Sequence, residues 1–224
     1  NAAAAEARSQ LGAALSALNA QAGGRFVFSG VVTDQPPLGS ADDLLGALET
    51  AVTGALTAND VATAVQSWFT DPLGYGAFYQ GGAGLAPLGV SPGEEVDLDA
   101  TALEPAVRDT LAGLAMAALL DRGLMTGQQE MRADIAQRAG LQLHASEDSR
   151  ALLAARIGTA EARIDGARTR NSAETSALEI ARTDRLAVDP YEAATRLQSL
   201  QTQLESLYLI TSRVSRLSLA EYLR

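Results

Sequence analysis

Residues 191–224 read YEAATRLQSLQTQLESLYLITSRVSRLSLAEYLR, and neither glycine nor proline interrupts them. Apolar or small side chains recur in this stretch at spacings of three and four, which is the period of one face of an α-helix. At about 1.5 Å per residue, the pattern predicts a helix roughly 50 Å long. Its predicted seam consists of Leu197, Leu200, Leu204, Leu207, Thr211 and Val214.

The last turns of this helix are more apolar than one seam requires. A helix that is apolar on several sides is normally enclosed, because exposed apolar surface costs roughly 25 cal/mol per Å². No other helix of matching length and apolarity is evident in the chain, so we expect the partner to be another molecule or a missing segment. The predicted assembly interface comprises Leu197, Leu200, Leu204, Leu207, Ile210, Val214, Leu217, Leu219, Tyr222 and Leu223.

The segment from Gln128 to Val188 also predicts almost continuous helix. Its apolar or alanine positions alternate by four and three, as in a coiled-coil seam. Asp189 and Pro190 end this helix, because proline restricts the preceding residue and lacks a backbone donor. The seam consists of Leu153, Ile157, Ala160, Ile164 and Ala167.

The N-terminal part predicts a helix followed by a short strand. Leu11, Leu15 and Leu18 form an amphipathic stripe within Ala2 to Ala22. Gly23 and Gly24 are expected to end this helix, since glycine adopts the left-handed cap conformation without a Cβ penalty. The sequence RFVFSG then places Phe26 and Phe28 on one face, as in a strand closed by a Ser-Gly turn.

Residues 40 to 123 contain sequence signals for both helices and short strands. Ser40 is expected to cap one helix and Asn59 or Asp60 a second one. The glycine-rich and proline-rich stretch from Asp71 to Gly93 allows only short strands, whereas Glu104 and Pro105 begin a helix that extends to about Leu120. We therefore predict a mainly α fold with a small α+β insert and long antiparallel helices that form a coiled-coil-like rod. The expected aromatic core of the insert is Trp68, Tyr75, Phe78 and Tyr79.

Composition argues against several classes of function. The 224 residues contain 17 arginines, no lysine and 27 carboxylates, for a formal charge of −10, so a nucleic-acid interface is not expected. With no cysteine, no GxxxxGK[ST] motif and a single histidine, His144, the sequence offers no catalytic constellation, and we predict neither an enzyme nor a cofactor. The acidic run Glu94, Glu95, Asp97 and Asp99 lacks the spacing of a calcium loop, so no metal site is predicted. The longest apolar run, from Leu111 to Leu120, is about half the length of a membrane span, which predicts a buried helix and no membrane partner.

The order of these parts resembles the flagellin superfamily and, within it, the hook-associated proteins of the hook–filament junction. The resemblance rests on NAQAGGRFVFSG, residues 19–30, and on the terminal stretch from Asp189 to Arg224. Its helix-to-hairpin motif corresponds to Gly23, Gly24, Arg25, Phe26, Phe28 and Gly30.

The resemblance implies a mechanical function and a set of partners. Residues 1–30 and 128–188 would form a helical rod domain, residues 31–127 an outward-facing insert, and residues 189–224 an assembly helix. Copies would form a ring that contacts another hook-associated junction protein and flagellin, after export without a cleaved signal peptide and with the help of a chaperone that covers the terminal helix. The protein would then be extracellular, in the bacterial flagellum. A filament flagellin and a cytosolic coiled-coil binding module remain alternatives.

Overall fold

The computed structural model describes the backbone of residues 2–187 and 189–222 and the side chains up to residue 216. Within these residues the protein is mainly helical, with two small antiparallel hairpins, which confirms the predicted fold class. The strands are β1 (Gln21–Ala22), β2 (Arg25–Phe26), β3 (Leu88–Ser91) and β4 (Glu94–Val96). The helices are α1 (Ala2–Leu18), α2 (Ala41–Ala51), α3 (Ala58–Thr70), α4 (Tyr75–Phe78), α5 (Pro105–Asp121), α6 (Gln129–Ala145), α7 (Glu147–Leu186) and α8 (Pro190–Tyr222).

The chain forms two compact units, Asn1–Arg168 and Thr169–Arg224. In the first unit α5 is the central helix, and it packs against α1, α2, α3 and α6. The predicted division into a rod domain, an insert and an assembly helix places α1 and α5 in different parts, although they pack closely on each other. That division stays a prediction.

Helix α5 is buried on most of its circumference, as its apolar run predicted. A Cβ atom at Gly113 would overlap the side chain of Leu143 on α6, so the glycine permits close approach of the two helices. Leu119 is fully buried and Met116 is almost so. The run therefore supplies the core of the first unit, to which α1 contributes Leu11, Leu15 and Leu18.

Helices α2 and α3 both begin with a capping box. Ser40 accepts a hydrogen bond from the Asp43 backbone N–H at 3.1 Å, and the Asp43 carboxylate accepts one in return from the Ser40 backbone N–H. The predicted cap at Ser40 is confirmed, whereas the one at Asn59 or Asp60 is wrong. Thr57 is the cap of α3, because its hydroxyl accepts from the Asp60 backbone N–H at 3.1 Å and Asp60 completes the box three residues into the helix.

The end of α1 also differs from the prediction. The helix ends at Leu18, and Gly23 and Gly24 instead form the two-residue turn of the hairpin between β1 and β2. Both glycines have positive φ, at 59° and 77°, which is the requirement of a tight turn matched to the twist of antiparallel strands. The strand covers only Arg25–Phe26, so the predicted strand through Phe28 is too long.

An aromatic cluster and several short elements lie between residues 68 and 100. The ring of Trp68 lies 6.1 Å from that of Tyr75 and 6.0 Å from that of Phe78, and Phe69 joins the same cluster. Strands β3 and β4 are four and three residues long, as the density of turn residues predicted. Val96, at the end of β4, is buried between acidic residues.

The almost continuous helical segment predicted from Gln128 consists of two helices, α6 and α7. They are separated at Ser146, whose buried hydroxyl donates to the Leu143 carbonyl at 2.8 Å. Helix α7 then continues to Leu186. The break predicted at Asp189 and Pro190 is confirmed, and α8 begins at Pro190, one residue before its predicted start at Tyr191. On α7 the predicted seam is the least exposed face, since Ala160 and Ala167 are buried and Leu153, Ile157 and Ile164 are half-buried.

Candidate assembly surfaces

The exposed apolar face of α8 is the first candidate surface. We call it the terminal stripe. Each of its side chains is more than half exposed, from 52% for Leu200 to 60% for Leu197 and Val214. On enclosure, each would contribute on the order of 1 kcal/mol. The terminal stripe consists of Leu197, Leu200, Leu204, Leu207, Ile210 and Val214.

The polarity of the residues that flank the terminal stripe changes along α8. Near its start the flanking residues are Gln201 and Gln203, whereas near its middle they are the exposed Tyr208 and Leu209. The first part therefore presents one narrow apolar face with polar edges, and the second an apolar surface on several sides. The other predicted interface positions, Leu217, Leu219, Tyr222 and Leu223, lie outside the described side chains.

The one polar residue of the predicted seam, Thr211, has its hydroxyl already hydrogen-bonded within α8. The Thr211 hydroxyl donates to the Leu207 carbonyl of its own helix at 2.7 Å. Thr202 donates to Gln198 in the same way at 3.0 Å. Because these hydroxyls are satisfied within the helix, a partner would not have to supply polar groups to them.

The second candidate feature is the segment that follows α1, residues 19–38, which we call the connector. Two hydrogen bonds between Asn19 and Leu38 join the two ends of the connector. The Asn19 side-chain amide donates to the Leu38 carbonyl at 2.9 Å, and the Asn19 amide oxygen accepts from the Leu38 backbone N–H at 3.1 Å. The buried Ser29 hydroxyl donates to the Gln35 carbonyl at 2.7 Å. These bonds, across 19 and six positions of the sequence, hold the connector as a defined loop.

Gly30 lies at the closest approach within the connector. Its φ is 60°, and a Cβ atom there would overlap the carbonyl oxygens of Ala83 and Gly82. The Gly82 backbone N–H donates to the Ser29 carbonyl at 2.8 Å, and Val31 donates to Ala83 at 2.9 Å. The connector is thereby bonded to the segment between α4 and β3.

The predicted motif residues fall into an exposed and a buried part of the connector. Gly23, Gly24 and Arg25 are exposed at the hairpin, and Phe26 is half-buried beside them. Phe28 packs against the core, and its carbonyl accepts from the Ala102 backbone N–H at 3.1 Å. Sequence patterns missed the roles of Ser29 and Tyr79. The Ser29 carbonyl accepts from the Gly82 N–H and the Tyr79 hydroxyl also donates to the Phe28 carbonyl at 3.4 Å, and both contacts join residues more than 50 positions apart.

Buried aromatic hydroxyls support this arrangement. Tyr75 donates to the Ala102 carbonyl at 2.9 Å, and burial raises the pKa of its phenol well above the usual range. Tyr79 donates to the Gly82 carbonyl at 3.0 Å, and its pKa is raised by burial and then by the charge of Asp99. Both phenols therefore stay protonated donors at neutral pH.

An apolar groove lies between α1, α5 and the start of α7, all within the first unit. Its volume is about 330 Å³. The half-buried seam residues Leu153 and Ile157 line it, together with Phe28 of the connector. The remaining apolar lining includes Ala14, Leu18, Val107 and Leu111.

The residues considered for other chemistry are not brought together. His144 is an exposed side chain in the last turn of α6, 3.1 Å from Glu147. In the part of the chain that the structure describes, no three histidine, aspartate or glutamate side chains are grouped as metal ligands would be. No described helix combines the length and apolarity needed to cross a membrane.

A comparison with known protein families gave a match that covers most of α7 and α8. Residues 149–223 match the family described as the bacterial flagellin C-terminal helical region. This match supports membership of the flagellin superfamily. The flagellin-like region covers about a third of the chain and contains the α7 seam and the whole terminal stripe. Comparisons with curated proteins and with solved structures found no match.

The flagellin-like match supports a structural component of the flagellum and agrees with the terminal half of the resemblance seen in the sequence. The connector lies outside the matched residues, so its resemblance to the helix-to-hairpin motif stays a prediction.

Proposed function

We propose that this protein is an adaptor at the hook–filament junction of the bacterial flagellum and that it assembles through α8. The observation that carries the proposal is the terminal stripe. Six apolar side chains, each more than half exposed, lie on one helix within the flagellin-like region. A stripe of this length and period fits burial against other helices.

The stripe suggests how copies associate. Its first part, with polar edges at Gln201 and Gln203, suits one neighbouring helix. Its second part, with Tyr208 and Leu209 beside Ile210, suits more than one neighbour at once. Such a helix fits a ring of identical copies whose α8 helices enclose one another.

The partners follow from the same surface. In the flagellum they would be further copies of this chain, another hook-associated junction protein on one side and flagellin on the other. Before export, an export chaperone would cover the terminal stripe and prevent aggregation in the cytosol. The protein would be exported without a cleaved signal peptide and would act outside the cell.

The connector supports the adaptor role over that of a filament subunit. In the resemblance, the aromatic pair Phe26 and Phe28 distinguishes the junction proteins from filament flagellins. Phe28 lines the apolar groove between α1, α5 and α7 and so contributes to packing between the connector and these helices. Within this proposal, residues 1–30 and 128–188 form the rod domain, residues 31–127 the outer insert and residues 189–224 the assembly helix.

Immunogold labelling of intact flagella tests the position of the protein. An adaptor gives a single band where the hook meets the filament. A filament flagellin, which the flagellin-like match favours equally, gives uniform label along the filament. Label confined to the cytosol of motile cells would instead indicate a coiled-coil binding module and would contradict the proposal.

A deletion separates assembly from folding. Removing residues Tyr191 to Arg224 should abolish incorporation into flagella, while the first unit keeps its thermal unfolding transition because its core lies within Asn1–Arg168. Normal filaments in cells that carry only the shortened chain would contradict the proposal. Loss of the unfolding transition would show that the deletion acts through folding. Substitutions within the terminal stripe would then be used in place of the deletion to test assembly.

A further inference from the structure

The helical path from α6 to α7 is interrupted at a single residue, Ser146, although the local sequence permits a continuous helix. Residues 141–157 contain neither glycine nor proline. The backbone of Ser146 stays close to helical, with φ at −83°, but its ψ of −4° departs from the usual helical value of about −42°. The break is therefore produced by contacts of the folded protein rather than by a helix-breaking residue.

The Leu143 carbonyl is the group at which the two helical paths differ. In a continuous helix it would accept from the Glu147 backbone N–H. Here α6 ends at Ala145, and among the described backbone groups no such bond joins the two helices. The buried Ser146 hydroxyl donates to this carbonyl instead, at 2.8 Å, and Thr110 of α5 lies 3.5 Å from the same hydroxyl. A serine hydroxyl that bonds back to its own helix in this way favours a bend.

The start of α7 lies against α5 along a narrow line. The apolar groove between α1, α5 and α7 has a volume of about 330 Å³, and a second groove of about 260 Å³ lies beside it. Ala106 of α5 and Leu153 of α7 line both grooves, so the two helices approach each other between them. A helix with so few buried apolar contacts can move with little loss of packing.

One arginine fastens α7 beyond this line of contact. The Arg156 Nη2 lies 2.6 Å from a carboxylate oxygen of Glu104, and we call this ion pair the latch. Because Arg156 is about half exposed, the latch contributes little stability. Arg156 lies about 15 Å along the helix from Ser146, so a change of about 20° in helix direction there would move it by about 5 Å. That movement exceeds the range of a hydrogen bond, so the latch forms in only one direction of α7.

We propose that Ser146 is a hinge at which α7 moves between the interrupted form described above and a form that is continuous with α6. The interrupted form keeps the latch and holds the start of α7 beside the apolar groove. In the continuous form the Glu147 backbone N–H donates to the Leu143 carbonyl, the latch breaks and the groove opens. Because the two forms exchange hydrogen bonds of similar strength, both are populated. This inference does not rest on the flagellar role.

Distances between spin labels on the full chain test the hinge. The chain has no cysteine, so Ser67→Cys on α3 and Ala162→Cys on α7, both at exposed sites, carry the only labels. Mixing with excess unlabelled chain limits the measurement to distances within one molecule. Ala162 lies about 24 Å along the helix from Ser146, so the continuous form should give a second distance several ångströms from the first.

Two substitutions should favour the continuous form. Ser146→Ala should raise its population relative to the interrupted form about five- to tenfold, because the Leu143 carbonyl then keeps only a 3.4 Å bond from Arg150 in the interrupted form. Arg156→Gln removes the latch and should raise the same ratio about two- to fivefold. The control is Arg163→Gln, at an exposed arginine of the same helix, which should leave the ratio unchanged.

Hydrogen exchange gives an independent readout of the break. The amide N–H groups of residues 147–149 have no backbone partner among the described residues, and they gain one only in the continuous form. Ser146→Ala should therefore slow their exchange about twofold or more. A hydroxyl that only stabilises the interrupted fold would instead give faster exchange when it is removed.

A single distance that is the same in wild type, Ser146→Ala and Arg156→Gln overturns the proposal, as does faster exchange at residues 147–149 in Ser146→Ala. If Ser146→Ala abolishes the thermal unfolding transition of the first unit, the distances measured in Arg156→Gln decide the question, with Arg163→Gln as control.

Discussion

At the scale of single residues, Gly30 is the position where backbone conformation and packing leave the least freedom. Replacing it with alanine forces a side chain into a left-handed conformation and against the Ala83 carbonyl. We expect Gly30→Ala to lower the free energy of unfolding by about 2 to 4 kcal/mol. Urea denaturation of the full chain measures this change.

The matched control for this substitution is Gly46→Ala. Gly46 lies within α2, and a Cβ atom there meets no neighbour within 4 Å. Removing a glycine from a helix interior should stabilise the protein by about 0.5 to 1 kcal/mol. Equal unfolding midpoints for the two variants would show that the connector does not constrain Gly30.

Two capping carboxylates make stability depend on pH. The pKa of Asp43 is lowered by hydrogen bonds from Ser40, and that of Asp60 by hydrogen bonds from Thr57 and then Leu56. Because folding favours their charged forms, their stabilisation is present above the usual aspartate pKa of about 3.9 and is lost as pH falls through the lower folded-state values.

The double variant Asp43→Asn and Asp60→Asn removes this titration. At neutral pH it should melt at a lower temperature than wild type, and the difference should shrink steadily below about pH 4. Thermal unfolding followed by circular dichroism at several pH values checks this, with the exposed Asp34→Asn as control. A difference in melting temperature that stays constant down to pH 2 would contradict the assigned role of the two caps.

At the scale of elements, α8 is long and helical but presents its apolar face to solvent. Replacing Leu200, Leu204 and Leu207 with glutamine removes the centre of the terminal stripe. Glutamine is a good helix former, so helical content should be retained while self-association falls by at least about tenfold. Sedimentation velocity and circular dichroism on the same samples measure both quantities.

The control substitution uses an equally exposed leucine elsewhere. Leu152 on α7 is 71% exposed and lies outside the terminal stripe. Leu152→Gln should leave self-association unchanged if α8 carries it. Equal effects of Leu152→Gln and of the triple variant would indicate a general response to lost apolar surface.

Much of the element order could be predicted from local patterns, but the element ends could not. The spacing of Leu153, Ile157 and Ala160 identified the less exposed face of α7, because helical period and burial coincide there. The end of α1 was misplaced, since Gly23 and Gly24 suit a hairpin turn as well as a helix cap. The choice between these two roles depends on pairing with residues beyond the turn.

The same distinction applies to the candidate surfaces: local sequence patterns predict some of them, and others depend on contacts between distant residues. The terminal stripe follows from the spacing and composition of α8 alone, because every residue that forms it lies on one helix. The bonds of Asn19 to Leu38 in the connector join residues that are 19 positions apart. No local pattern encodes such contacts, since they form only when distant parts of the chain pack together.

At the scale of the whole molecule, charge is divided between the two units. Thr169–Arg224 contains seven arginines and seven carboxylates and is formally neutral. The first unit, with 10 arginines and 20 carboxylates, therefore carries the entire formal charge of −10. Many copies of a neutral helix can lie side by side without repulsion, whereas copies of the first unit repel one another.

This division predicts that salt strengthens self-association through α8. Screening shortens the range of repulsion between the acidic units to about 10 Å at 0.1 M salt, while apolar contacts along the terminal stripe are not weakened. Sedimentation equilibrium of the full chain should therefore show tighter association as sodium chloride rises from about 0.02 to 0.5 M. The triple glutamine variant should stay dissociated over this range. Weaker association at high salt would mean that ion pairs, rather than the terminal stripe, hold the copies together.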